Sequence, residues 1–480
     1  MSDSTLKQKT AKGLLWGGIG SGGMQLLNLA FGIILSRILS PGDYGVVGAL
    51  TVFSAVATIF SESGFTLAIV NRKTVTDTDY SSVFWFNLAV GAFFYIALFF
   101  LAAPIARFYR TPDMVPLARF LFLSFFIGAL GTAPSGNLLR NLKIKQRSQC
   151  LLAAVAVSGI TGVGFALAGY GYWGIAVQTV LYSLTYNILL WRAAKWCPSL
   201  TFSMDSIRSM LPFSVKQMAV ALFTHFNNNF FAVLLGRFYG MIKTGYYTQG
   251  NKWTTMGSSI LSSMIYSVGQ PVMRQTTDDP ERLRRVFRKM LAFVSFFSFP
   301  AMFGLCIISR EFIVIAVTDK WLPAVAVMQI LCIGSAFLPI TTLYGNLFNS
   351  INRPSIYMWN TIAIGTIQTA LAIVTYRFGL NTMLTAYIIA NIAWLLVWQY
   401  FAWRTIGLRL RDVLTDTLPY MTIAAAVMAI ACLAASPVSN ILLSLLIKVT
   451  VAASLYLLTM KISGSAILNE TIAYLKKKNK

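Results

Sequence analysis

The chain has 480 residues, 56% of them hydrophobic and only 11% charged, with a formal net charge of +24 at pH 7. A water-soluble protein of this length needs far more polar surface, which excludes a soluble globular enzyme. The basic excess could suggest nucleic acid, but its placement along the chain follows membrane topology instead, so no nucleic-acid partner is expected.

About 20 apolar residues cross the hydrocarbon of a bilayer. Fourteen runs of that order follow one another, at roughly 13–38, 44–70, 82–105, 115–135, 149–168, 172–191, 210–235, 244–270, 287–308, 324–346, 357–376, 383–403, 417–435 and 438–460. The connections are short and leave no room for a catalytic domain in water. The predicted fold is an all-α polytopic membrane protein of about fourteen transmembrane helices. Lys7, Lys9 and Lys12 precede a first run too long for a signal-peptide core and without a small-residue cleavage site, so it is expected to remain as a span.

Fourteen spans place both termini on one side. That side collects most of the basic residues, among them Arg140, Lys143, Lys145, Arg147, Arg282, Arg284, Arg285, Arg288, Lys289 and Lys476, Lys477, Lys478 and Lys480 of the tail. The other side receives only Arg37, Arg107, Arg110, Arg237, Lys243, Arg310, Lys320 and Arg377. Positive loops face the cytoplasm, so both termini are predicted there, in a cytoplasmic (inner) membrane, with anionic membrane lipids as natural partners. Cys150, Cys197, Cys306, Cys332 and Cys432 have no metal or redox spacing and read as packing residues.

The chain also repeats itself. Leu35-Ser36-Arg37 is followed by Gly45, and Leu235-Gly236-Arg237 by Gly245, in the same register 200 residues later. Gly136-Asn137-Leu138 returns as Gly345-Asn346-Leu347. An even number of spans between the copies makes the repeats parallel rather than inverted. The expected organisation is an N-lobe over 1–195 (spans 1–6), a cytoplasmic linker over 196–208 and a C-lobe over 209–411 (spans 7–12). Spans 13 and 14 with a basic cytoplasmic tail fill 412–480, as a peripheral addition whose deep polar residue is Lys448.

A span facing lipid is apolar all round, whereas one lining water keeps polar groups at helical spacing. Span 1 carries Ser21, Gln25, Asn28, Gly32 and Ser36; span 2 carries Thr51, Ser54, Thr58, Ser61 and Glu62. Span 7 carries Lys216, Thr224, His225, Asn227, Asn228 and Asn229, and span 8 Thr248, Lys252, Thr255, Ser259, Ser263, Tyr266 and Gln270. These stripes predict a hydrated cavity lined by spans 1, 2, 7 and 8. Glu62 stands out as the acidic residue deep in a span.

The run Gly13-Leu14-Leu15-Trp16, then Leu39-Ser40-Pro41-Gly42-Asp43-Tyr44-Gly45, resembles the start of bacterial lipid-linked oligosaccharide (Wzx-type) flippases of the polysaccharide-export group. Asp79-Tyr80-Ser81-Ser82-Val83-Phe84-Trp85-Phe86-Asn87, Gly236-Arg237-Phe238-Tyr239 and Gly245-Tyr246-Tyr247 carry the same resemblance. It implies the fold of the multidrug/oligosaccharidyl-lipid/polysaccharide (MOP) superfamily: two six-helix lobes in a V, often with two extra helices. It also implies flipping of undecaprenyl-diphosphate-linked repeat units from cytoplasmic to periplasmic leaflet by alternating access, for capsule, O-antigen or exopolysaccharide. A polysaccharide polymerase and chain-length machinery join the expected partners. Lys243 departs from the family, whose members often carry an acidic residue there.

No short catalytic motif accompanies the resemblance, so site residues rest on physical reading. Lys216 and Lys252 are expected to attract the diphosphate, with His225, Asn227, Asn228, Asn229, Gln25, Asn28 and Gln249 as hydrogen-bonding groups for phosphate and sugar. Arg37 and Arg237, at equivalent ends of spans 1 and 7, are gate candidates. Glu62 is the candidate for a coupling proton or sodium ion. No catalytic residue, metal or cofactor is expected. A cation-coupled multidrug exporter of the same superfamily and a non-transporting scaffold for polysaccharide assembly are the alternatives. A polymerase or glycosyltransferase would need an acidic metal motif or a large catalytic loop, which the chain lacks.

Overall fold

A computed structural model describes residues 3–62, 65–72, 74–141, 143–465 and 467–469. The described residues are helical throughout, without a strand: α1 (Asp3–Ile38), α2 (Pro41–Glu62), α3 (Phe65–Asn71), α4 (Asp77–Tyr109), α5 (Met114–Ala129), α6 (Thr132–Arg140), α7 (Ile144–Leu167), α8 (Trp173–Ala194), α9 (Met204–Phe238) and α10 (Gly240–Arg274). They continue with α11 (Pro280–Ile307), α12 (Ser309–Phe312), α13 (Pro323–Ser335), α14 (Leu338–Ser350), α15 (Pro354–Thr375), α16 (Leu380–Ile406), α17 (Leu410–Ala435) and α18 (Ile441–Ile462). Each of the fourteen apolar runs falls on one of these helices or on a consecutive pair. Among the described residues, nine helices are long and apolar enough to cross a membrane, or ten if the bent pair Met114–Ala129 and Thr132–Arg140 is one span. The chain is a multi-pass α-helical membrane protein.

Two compact units divide the chain at Gly245, Met1–Gly245 and Tyr246–Lys480. The sequence repeat, by contrast, begins its second copy near Ser209. The two partitions differ because α9 packs against α2 and α4. The core of the first unit is built from Leu50 of α2, Tyr109 of α4, and Leu117, Phe122 and Phe125 of α5, with Val233 of α9 against it.

The repeat reappears as structure within each unit. Gly136-Asn137-Leu138 lies on α6 and Gly345-Asn346-Leu347 on α14, each the second segment of a broken helix. The α5–α6 bend is 42°. Pro134 has no N–H to give the carbonyl four residues back, and that carbonyl, Leu130 O, instead accepts from Trp191 Nε1 at 2.9 Å. Asn187 Nδ2 donates to Ile127 O at 2.8 Å in the same break. At the α13–α14 break, Ser298 Oγ donates to Ala336 O at 2.7 Å. A backbone group left without a helical partner inside a membrane protein is costly unless re-satisfied, and a neighbouring helix, α8 or α11, supplies a side chain at each break.

The Asp79–Asn87 stretch has a structural task at the start of α4. Thr76 and Asp79 form a capping box: Thr76 N donates to Asp79 Oδ2 at 2.8 Å and Asp79 N to Thr76 Oγ1 at 3.3 Å. Arg72 pairs with Asp79 at 2.9 Å. The next turn holds the 196–203 connection: Ser199 N donates to Ser81 Oγ at 3.1 Å, Ser203 N to Ser82 Oγ at 2.8 Å, and Trp85 Nε1 to Ser199 O at 2.8 Å. The linker is therefore stapled to α4. Removing two of these bonds with S81A/W85F is expected to cost about 2 kcal/mol locally. Limited proteolysis should then cut within 196–203 faster than in the parent; unchanged cutting would mean the staple contributes nothing.

Spans 13 and 14, the expected peripheral addition, are both tied to α11. Arg288 on α11 forks onto Asp416 of α17 through Nε at 2.7 Å and Nη2 at 3.0 Å, and reaches Asp412 at 3.1 Å. Tyr456 Oη of α18 donates to Phe296 O at 2.8 Å. Lys448 of α18 ion-pairs with Glu311 of α12 and donates to Ile307 O at 3.0 Å, while Ser444 Oγ donates to the same Glu311 oxygen at 2.9 Å. Glu311 is 5% exposed. The sequence hid it because Glu311 falls between two apolar runs and meets its partner 137 residues later.

Candidate functional site

The repeated Leu-x-Arg and Gly motifs meet in the first unit, at the turns joining α1 to α2 and α9 to α10. Ser40 caps α2: its amide donates to Asp43 Oδ2 at 2.8 Å and Asp43 N donates back to Ser40 Oγ at 3.2 Å, with Pro41 at the first helical position. The other oxygen, Asp43 Oδ1, accepts from Tyr172 N at 3.1 Å, which fixes the turn entering α8. The equivalent position in the second copy is Lys243, whose ammonium lies 5.1 Å from the Tyr239 ring centroid. The charge reversal at this position therefore removes an anchor in one copy and leaves it in the other. Gly240, at φ +80°, makes the α9–α10 turn in a backbone conformation that other residues rarely adopt.

Two glycines close this end against the partner copy. A methyl group on Gly45 would stand 1.8 Å from the carbonyl oxygen of Met241, and one on Gly245 would stand 1.8 Å from that of Pro41. Positions 41 and 241, and 45 and 245, are equivalent in the repeat. The contact is thus reciprocal, as a pseudo-twofold arrangement demands. Around it, Ser36 is fully buried and its hydroxyl lies 3.1 Å from Tyr44 Oη. Tyr109 Oη donates to Ala49 O at 3.2 Å, and the Tyr109 ring fills the space a side chain at Gly236 would need.

The gate candidates take different places. Arg237 donates to Phe108 O at 2.8 Å, with its guanidinium 5.2 Å from the Phe108 ring centroid, so it fastens α9 to the end of α4. Arg37 is exposed. On α1, Gln25 and Asn28 are half-buried, while Gly20 and Gly23 form the face against Ser148 and Leu152 of α7. His225 is exposed and Asn229, half-buried, donates to His225 O at 2.9 Å along α9. The side chains of Lys216, Asn227, Asn228 and Glu62 lie outside the described residues.

α10 has two distinct faces in the second unit. Gly250 stands against Ala324 and Val327 of α13, and Thr254 Oγ1 lies 3.8 Å from Cys332 Sγ. Gln249, Trp253, Thr254 and Ser258 are buried with them. Thr248, Lys252, Thr255 and Ser259 remain partly or fully accessible. The Lys252 ammonium lies 4.9 Å from the Trp253 ring centroid, a cation–π arrangement that offsets part of its desolvation. The side chains of Ser263, Tyr266 and Gln270, the rest of the stripe read from the sequence, lie outside the described residues, and Gln249, one residue away from Thr248, belongs to the packing face. Among the described residues, no group of three His, Cys, Asp or Glu side chains could hold a metal ion.

A family model described as polysaccharide biosynthesis protein matches residues 34–326. An uncharacterized membrane protein in the cps region of Klebsiella pneumoniae is 27% identical over 72% of this chain and 71% of its own length. The lipopolysaccharide biosynthesis protein WzxC of Escherichia coli (strain K12) is 25% identical over 73% and 72%. Among solved structures, the lipid II flippase MurJ in an inward closed conformation superposes with a TM-score of 0.75 at 14% identity, covering 93% of this chain and 99% of that one. An inward-facing MATE family multidrug resistance transporter of the MOP superfamily gives 0.61 at 16% identity, over 80% and 94%. These two likenesses establish the fold, and the match over residues 34–326 establishes the lineage: the chain is a membrane protein of the polysaccharide biosynthesis protein family, with the helical architecture of MOP-superfamily transporters.

Proposed function

We propose that this protein is a flippase that moves undecaprenyl-diphosphate-linked oligosaccharide repeat units from the cytoplasmic to the periplasmic leaflet by alternating access. The reading takes the crossings as fourteen and both termini as cytoplasmic in the inner membrane. The repeat boundary near Ser209 then separates two parallel six-span halves. The observation that carries it is the accessible Thr248–Lys252–Thr255–Ser259 face of α10 in a chain of this family.

A doubly charged diphosphate does not cross hydrocarbon unaided, because a buried unpaired charge costs several kcal/mol or more. A cation on a hydroxyl-lined helix face lowers that barrier through charge-assisted hydrogen bonds. Lys252 fills this role, with Lys216, His225 and Asn229 on α9 and Gln25 and Asn28 on α1 as further polar groups. The close approach of Gly45 to Met241 and of Gly245 to Pro41 is then the periplasmic closure, with Arg37 and Arg237 flanking it. Glu62 is assigned the coupling proton or sodium ion, and the chain itself performs no covalent chemistry.

Loss of one charged hydrogen bond lowers binding by roughly tenfold or more. In a strain lacking the gene, K216A/K252A is expected to lower surface-polymer export by at least that factor, and E62Q to abolish it. A well-expressed K216A/K252A protein that restores full export would overturn the substrate assignment. Drug resistance conferred without any polymer defect would transfer the protein to the multidrug exporters.

A further inference from the structure

Arg147 is one of the basic residues that the sequence reading left among the cytoplasmic charges. It lies in the first turn of α7 (Ile144–Leu167) and is half-buried. It borders a cavity of about 390 Å3 within the first unit, enclosed by α3, α5, α6, α7 and α8. Its Nε is buried and has no hydrogen-bond partner among the described residues. Among the described residues, no acidic side chain lines the cavity. Buried polar groups, and charged ones above all, are normally paired, so an orphaned guanidinium N–H facing a polar cavity calls for an acceptor.

The walls specify what that acceptor is. Ser135, 9% exposed, lines the same cavity, and among the described residues its side chain makes no hydrogen bond, which leaves its hydroxyl as a second donor. Asn187 spends both amide hydrogens on Ile127 O and Ser183 O, which holds the wall rigid rather than offering a donor. Tyr182 and Tyr186 stack in parallel, centroids 5.8 Å apart, and give a flat side. The volume is at the lower end for small-molecule sites and too small for a lipid-linked oligosaccharide.

We propose that this cavity is a phosphate site, in which Arg147 and Ser135 bind the phosphate group of a membrane lipid headgroup or a free phosphate. The site lies on one unit and is independent of the transport face on α10. A guanidinium suits it because its planar fork addresses two oxygens at once, which an ammonium does not.

The test is lipid binding by the full-length protein, purified in detergent and followed by native mass spectrometry. Cardiolipin, undecaprenyl monophosphate and inorganic phosphate are offered separately. The parent is expected to retain one equivalent of at least one probe, R147Q to lose affinity by about tenfold or more, and R147K and S135A to fall between them. Retention of a lipid but not of inorganic phosphate identifies a headgroup site, and the reverse identifies a soluble ligand; both support the assignment. Equal retention by the parent and by R147Q, or no retention of any probe by the parent, overturns it. Should R147Q not fold, the R147K and S135A affinities decide: values equal to the parent's reject the site. Failure of export in K216A/K252A with phosphate binding intact separates this inference from the transport reading.

Discussion

G45A and G245A are expected to open the end of the protein that the two glycines close. Each added methyl would meet a backbone oxygen at 1.8 Å, and real contacts of this kind stay above 3.0 Å, so the two turns must part by more than an ångström. Neither neighbour is a flexible side-chain tip that could move aside. Overpacking of this kind costs about 1–3 kcal/mol, occasionally more. That is enough to shift a two-state equilibrium by roughly ten- to a hundredfold away from the closed form. A cysteine at the fully buried Ser36, in a background without the five native cysteines, reports the change. It should resist a water-soluble thiol reagent in the parent and react in G45A or G245A, with export reduced about tenfold or more. Either substitution leaving S36C protected and export intact would show that the contact bears no load in transport. Because the contact is reciprocal, the two variants should behave alike, whereas a merely local defect would affect one.

Breaking the Lys448–Glu311 pair is expected to destabilise the second unit more than any other single change outside its apolar core. The two side chains are 14% and 6% exposed, so either one left alone is a charge in an apolar setting. Removing one partner of such a pair costs about 3–5 kcal/mol, while replacing both with apolar groups is often close to neutral. E311A and K448A should each lower thermal stability in mild detergent markedly, and E311L/K448M should recover most of the loss. If K448A melts with the parent, or the double variant is the sum of the singles, the pair is not what fastens α18 to α12. The Arg288–Asp416 fork is more exposed, at 36% and 16%, and its loss is expected to matter less.

The helices, their order and the membrane class were legible in the amino-acid sequence because hydropathy and helical period are local properties. The two-copy register was legible too, since Leu35–Gly45 and Leu235–Gly245 are plain repetition. What no pattern disclosed is that Gly45 and Gly245 each touch the opposite copy, or that Asp43 anchors Tyr172 while Lys243 anchors nothing comparable. Helical spacing puts Lys252 with Thr248, Thr255 and Ser259, whereas Gln249, expected among the same hydrogen-bonding groups, is buried. Neighbouring residues on a helix stand about 100° apart, and only the packing of α13 decides which of two adjacent polar groups is covered.

The sequence alone determined an all-α membrane chain with an internal repeat and a polar stripe on α10, all properties encoded within a few turns of helix. Tertiary structure decided the rest: that Glu311 neutralises Lys448, that Arg147 borders a cavity, and that the 196–203 linker is fastened to α4. The ion pair and the linker contacts join side chains more than 100 residues apart in the chain, and the cavity gathers residues from five helices, where burial turns an isolated charge or hydroxyl into a group that must find a partner.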